Sequence, residues 1–167
     1  YGLTPIQAGE IRIDGEPVRI RSPRQAISLG INMVPEERRS QGLVLDFSVA
    51  DNMLMAAYDR LTQGLGLDKL KGDAMVRAQI KSLGVKTSGP EQSVSGLSGG
   101  NQQKVVIGKC LSTKAKVLLL DDPTFGIDIH AKYEIMKIVD SYVAAGNGAI
   151  FVSSEYAEVA SFCDLIY

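Results

Sequence analysis

Basic charge is not in excess in this sequence: 18 Lys and Arg stand against 19 Asp and Glu, for a net charge of -1. A nucleic-acid binder would normally carry a clustered basic surplus, so that class has no support. The only cysteines are Cys110 and Cys163. Two cysteines cannot build a disulfide framework, and both lie among apolar residues, which points to a reducing cytoplasm. No apolar run approaches the ~18 residues of a membrane helix. Tyr1 opens no basic-then-apolar signal segment. Internal repeats and low-complexity tracts are missing as well. What remains, 45% hydrophobic and 22% charged over 167 residues, is the composition of a globular domain or of part of a larger one. The expectation is a soluble, intracellular chain that does not itself span a membrane.

Periodicity places the elements. Residues 9–20, GEIRIDGEPVRI, alternate apolar and polar around Gly15 and predict a small, half-buried antiparallel hairpin. Ser22-Pro23 opens a short helix that runs to Gly30. Ile31 to Val34 reads as a strand halted by Pro35, and Glu36 to Gly42 as a polar loop whose charges are left in water. From Val49 to about Leu83 the pattern is helical, divided at Gly64 and Gly66, with Asp73 the candidate cap of the second helix. Ser98 begins a helix to about Leu111, and Val117-Leu118-Leu119-Leu120 reads as a strand buried on both faces. A helix with Ile135, Ile138, Val139 and Tyr142 on one face ends at Gly146. Ala149 to Val152 is a second apolar strand, and a short helix follows. This alternation predicts an α/β sheet in parallel order.

Three segments carry chemistry. In Leu97-Ser98-Gly99-Gly100-Asn101-Gln102-Gln103-Lys104, glycines at a helix start let the backbone approach a ligand, and the free amides with the helix dipole favour a phosphate. Alone, it is equally a capped turn. Asp121 ends a buried strand, where α/β sheets bind ligands, and can hold a magnesium ion through water. Asp122 beside it can orient an attacking water, although a strand followed by an acidic turn explains the pair as well. The third is Gly126-Ile127-Asp128, followed by Phe151-Val152-Ser153-Ser154-Glu155, where Asp128 and Ser154 serve equally well as helix caps.

LSGGNQQK, VLLLDDPT, GID and VSSE, in that order and spacing, resemble the nucleotide-binding domain of an ABC transporter ATPase over practically the whole chain. More narrowly, LSGGNQQKVVIGKCL with VPEERRSQGLVLDFSVADNM resembles the carboxyl-terminal cassette of the tandem ATPases that drive bacterial sugar importers of the ribose, galactose and xylose type. The resemblance implies a truncated P-loop NTPase core of α/β class. Its parts would be the hairpin at 9–20, a helical subdomain at 49–94, and the signature helix with the carboxyl half of the core at 95–167. It implies ATP and Mg2+ as cofactors. Ser98, Gly99, Gly100, Gln102 and Asp128 would meet the ATP of the opposite cassette, Glu36 would stand at the Q-loop position, and Asp121 would hold Mg2+ through water. Asp122 would be the catalytic carboxylate, and Ser154 would occupy the switch position in place of histidine. The implied partners are the amino-terminal cassette of the same polypeptide and transmembrane permease subunits docking near Glu36 to Asn52, with a periplasmic sugar-binding protein acting indirectly. The implied location is the cytoplasmic face of the cell membrane, held there through the permease. The alternative is a cassette of a soluble ABC ATPase with no transport role.

Two departures from the family pattern matter. No G-x-x-x-x-G-K-S/T loop is present; the only Gly-Lys pair is Gly108-Lys109, followed by Cys110. The chain is therefore expected to begin after the P-loop helix and to stop soon after the switch strand, to lack ATPase activity by itself, and to self-associate through uncovered sheet surface. Asp122 stands where the family usually has glutamate, one methylene or roughly 1.5 Å shorter. Placement errors of about 1 Å cost ~100-fold in rate, so a site built on Asp121, Asp122 and Ser154 is expected to be slow.

Overall fold

The first element is set by its turn. In a computed structural model describing residues 1–63 and 66–167, β1 (Ile11–Ile13) and β2 (Glu16–Val18) pair antiparallel, with Ile11 opposite Val18. Asp14 (φ 51°) and Gly15 (φ 85°) both occupy the left-handed region, which gives a two-residue turn matched to strand twist. Ser22 caps α1 (Pro23–Ser28) through its hydroxyl, and Pro23 is pre-set for the first helical position. β3 (Ile31–Val34) follows.

Between Val49 and Leu83 the path is more broken than the expected pair of helices. α2 (Val49–Leu54) opens with a reciprocal capping box between Ser48 and Asp51, and α3 (Tyr58–Leu61) is a single turn. A short antiparallel ladder, β4 (Thr62–Gln63) with β5 (Gly66–Leu67), then turns the chain into α4 (Lys69–Ser82). Gly64, expected to separate the helices, lies outside the described residues. Asp73 is not the cap: the ladder ends at Leu67, so Asp68 stands first and its carboxylate accepts from the Lys71 amide at 3.0 Å. Asp73 falls inside the helix.

The remaining elements alternate as predicted: α5 (Gly99–Ser112), β6 (Val117–Asp121), α6 (Ile129–Ala144), β7 (Gly148–Val152) and α7 (Tyr156–Phe162). β3, β6 and β7 form a parallel sheet in that order. β6 is not buried on both faces. Leu118 and Leu120 are buried while Val117, Leu119 and Asp121 are half-buried, so one face is packed and the other only partly covered. β7 is an edge strand whose Ile150 and Val152 are exposed.

α5 runs through the core. Val105, Val106 and Ile107 are all fully buried beside Met53, Val76, Val34 and Ile135, each side chain worth about 1.5–3 kcal/mol of burial. The Cys110 thiol is buried in the same cluster and donates to the Met33 carbonyl. Burial pushes its pKa up to about 12, which leaves it inert. Cys163 is half-buried. No helix among the described residues is long and apolar enough to cross a membrane.

Candidate functional site

A parallel ladder brings the carboxyl ends of its strands together. Val34 pairs with Leu120 and Asp121 with Val152, so Glu36, Asp122 and Ser154 leave the sheet at one edge. Glu36 is exposed there. Asp121 is half-buried, and its carboxylate has no protein partner among the described residues, which leaves it open to a hydrated cation. Asp122 takes a left-handed backbone (φ 40°), strained for a non-glycine residue, while its amide donates to the Val152 carbonyl at 2.8 Å. One of its carboxylate oxygens is already engaged: Ser154 donates to it through its hydroxyl at 2.7 Å and its amide at 3.3 Å. Among the described residues no cluster of three or more His, Cys, Asp or Glu is shaped to hold a metal by itself.

Behind this edge sits a polar knot that sequence reasoning missed. Thr124, fully buried, donates to Glu158 at 2.6 Å, Ser153 donates to it at 3.1 Å, and Lys132 donates at 2.8 Å to its other oxygen. Lys132 also binds Glu155. Burial alone would raise the Glu158 pKa, but the hydrogen bonds from Lys132, Thr124 and Ser153 outweigh it and hold the carboxyl below its ordinary 4.5. A carboxylate with a depressed folded pKa adds stability above the unfolded value and loses it as pH falls through the folded one. Glu158→Gln is therefore expected to flatten the acid limb of the melting curve. Melting temperatures taken from neutral pH down to about pH 3 check this; an unchanged slope would refute it.

The second face is the start of α5. Ser98 stands at the cap position but makes no cap hydrogen bond; its hydroxyl oxygen accepts from Asn101 at 2.9 Å. Its own proton therefore stays available, and the first-turn amides of Gly99, Gly100 and Asn101 have no capping side chain. Uncapped amides at the positive end of a helix are a donor set for an anion. Asp128 caps α6 by accepting from the Ala131 amide at 2.9 Å, and that bond is the main cause of its lowered pKa. Ser98, Gly100, Asn101, Asp128, His130 and Lys86 all line one open cleft of about 270 Å³. Gly100 is there because α5 and α6 touch: a β-carbon on it would lie 2.4 Å from that of Ala131.

Two expectations change. Gln102 is buried and donates to the Val94 carbonyl at 3.0 Å, so it braces α5 from inside rather than facing the cleft. Arg38 is not left in water. It donates to the Phe125 carbonyl at 2.8 Å and to Gly126 at 3.3 Å, and burial, then the neighbouring Arg39, lowers its pKa. Glu36, Glu37 and Arg39 are exposed as expected. The Asn101–Ser98 bond had a visible signal in the i, i+3 spacing; the knot around Glu158 had none, since its members are scattered over two helices and the loops that precede them.

This fold combines a parallel sheet whose carboxyl edge carries Asp121, Asp122 and Ser154 with an uncapped Ser-Gly-Gly helix start that shares a cleft with an Asp-capped helix. Over 98% of this chain it superposes, with a TM-score of 0.78 and 18% identity, on 66% of a nucleotide-free ATP-binding cassette from an ABC transporter. The ABC transporter family model matches residues 1–125, and the chain belongs to that family. It is 42% identical over 166 residues to the ribose import ATP-binding protein RbsA of Geobacillus kaustophilus, covering 99% of this chain and 34% of the relative. It is 46% identical over 159 residues to the xylose import ATP-binding protein XylG of Pectobacterium atrosepticum, covering 95% and 31%. The chain thus spans about a third of the length of the curated relatives it matches.

Proposed function

We propose that this chain is part of the ATP-binding, energy-coupling subunit of a carbohydrate importer, and that it works as the carboxyl-terminal cassette of a tandem ATPase. The observation that carries the reading is the uncapped helix start at Ser98, Gly99 and Gly100, which offers amides and a hydroxyl proton beside Asp128 in an open cleft. In the whole protein this face closes on the ATP of the amino-terminal cassette, where the amides and the Ser98 hydroxyl steady the charge of the terminal phosphate. The carboxylate of Asp121, free of protein partners among the described residues, suits a hydrated Mg2+. That ion would neutralise phosphate charge when bound. Asp122 and Ser154, tied to each other, line this cassette's own, slower site, with Glu36 at its margin.

The parts divide accordingly into the hairpin at 9–20, a helical region at 49–94 that faces the permease together with the Glu36–Gly42 turn, and the signature helix with the carboxyl half of the core at 95–167. Permease subunits hold the subunit at the inner face of the membrane, and a periplasmic binding protein supplies the sugar. The relatives' names make a pentose the first choice of cargo. The whole ATPase, reconstituted with its permease, should hydrolyse ATP faster when a ribose- or xylose-loaded binding protein is added. An ATPase rate indifferent to the permease and to every loaded sugar would point instead to a soluble, non-transport cassette.

A further inference from the structure

We propose that Arg38 is a positioning residue that makes the Glu36–Gly42 turn, the Phe125–Gly126 backbone and the start of α5 move as one body, so that what docks on the turn is felt at the Ser98–Asp128 cleft. The inference rests on the reading of that turn as permease-facing and of the cleft as phosphate-facing.

The geometry is a three-way junction. The guanidinium bridges two consecutive carbonyls, Nη1 to Phe125 at 2.8 Å and Nη2 to Gly126 at 3.3 Å. A planar fork can span such a pair, whereas a lysine ammonium is a single point. The same Nη2 would lie only 2.8 Å from a β-carbon on Gly99, so the fork packs close against the first residue of α5 and a side chain there would have to displace it. Nε is buried without a partner among the described residues. An arginine free to swing into water would relieve that desolvation, so the two carbonyl bonds hold the side chain inward against a cost.

The other end of the turn is fixed too. A β-carbon on Gly42 would lie 2.9 Å from Cγ2 of Val106, and the Gly42 carbonyl accepts from Lys109, both on α5. The turn is thus seated on α5 at Gly42 and joined through Arg38 to the loop at Phe125 and Gly126. Asp128, two residues beyond Gly126, caps α6 and lines the cleft. A displacement of the turn must then either break the Arg38 fork or carry the 125–128 backbone with it.

Two measurements on the whole ATPase with its permease test this. In hydrogen exchange, Arg38→Ala should speed amide exchange across residues 123–129, remote in sequence from the substitution. In steady-state kinetics it should leave KM for ATP within about twofold and lower kcat, together with its permease-dependent stimulation, by roughly 10-fold. Arg38→Lys should keep the charge and fail to restore the stimulation. Unchanged exchange at 123–129 would overturn the junction. A stimulated kcat within twofold of wild type, or a loss residing wholly in KM, would overturn the coupling role. If the wild-type assembly shows no sugar-dependent stimulation, the importer reading fails by itself, and Arg38 is then judged on the exchange data and the basal kcat.

Discussion

Ser98→Arg in the whole ATPase is expected to lower ATP turnover by ~100- to 1000-fold while the cassette stays folded, the cost of losing one preorganised donor at the transferring phosphate, ~2.7–4 kcal/mol. The side chain is exposed and spends its oxygen only on Asn101, so replacing it disturbs no core packing. Surface changes of this kind usually stay within about 0.5 kcal/mol of stability. An arginine there would fill the cleft that Ser98 shares with Gly100 and Asp128. Gly100→Asp should be as damaging to activity but is a poorer test. Any β-carbon at 100 meets Ala131 at 2.4 Å and forces α5 from α6, a clash of about 1–3 kcal/mol before any effect on nucleotide. The contrast is Asp122→Asn. Its carbonyl can still accept from the Ser154 hydroxyl, and in the proposed asymmetric scheme that site carries only a minor share of turnover, so activity should fall only modestly. ATPase rates of the reconstituted assembly, alongside melting temperatures, separate these cases. If Asp122→Asn damages turnover as much as Ser98→Arg, both sites hydrolyse and the asymmetric scheme is wrong.

The parts of this fold that were legible in the sequence are those written in local chemistry. The alternation around Asp14-Gly15, the Ser22-Pro23 start and the apolar run at Val117 to Leu120 each have a short-range cause, and each element appears where that cause lies. Ser98 was readable as a helix start. That it leaves its amides uncapped was not, because the i, i+3 spacing permits the Asn101 bond without deciding between it and a backbone cap. Burial was misjudged where it depends on neighbours rather than on the strand. β6 looks apolar on both sides, yet only the face bearing Leu118 and Leu120 is fully packed. Arg38 shows the limit most clearly. It lies in a run of charges that reads as a solvated turn, and only a contact with backbone 87 positions away reveals its inward course. The helix cap shifted from Asp73 to Asp68 for a related reason: the ladder between Thr62 and Leu67 fixes where the helix can begin.

Glu134→Ala is expected to destabilise the chain by about 3 kcal/mol, far more than the loss of its lysine partner, because of which charge each change leaves behind. Lys104 lies on α5 with a side chain only 3% exposed, and its ammonium donates to Glu134 at 2.9 Å and to the Gly84 carbonyl at 2.9 Å. Glu134, on α6, keeps 31% of its side chain exposed and has His130 at 3.6 Å. The Lys104 hydrogen bond outweighs the opposing effect of burial and, helped by the lysine's charge, holds the Glu134 carboxyl below its ordinary 4.5. Removing Glu134 strands an ammonium in the core with one neutral acceptor, and buried charges without a counter-ion are costly. Removing the ammonium by Lys104→Met keeps the packing of a long apolar stem and strands only a carboxylate that can turn to water, which should cost about 1 kcal/mol. Replacing both, as Lys104→Met with Glu134→Leu, should recover most of the loss, since apolar groups of similar volume substitute well for a buried pair. The pair also ties α5 to α6, the helices whose starts carry Ser98 and Asp128 on the cleft. Glu134→Ala should consequently lower ATP turnover in the whole protein as well as stability, and the double substitution should restore stability more completely than turnover. Urea unfolding of the single and double variants decides the first point. Equal destabilisation by Lys104→Met and Glu134→Ala would mean that the lysine is not the stranded charge, and the account of the α5–α6 junction would have to be abandoned.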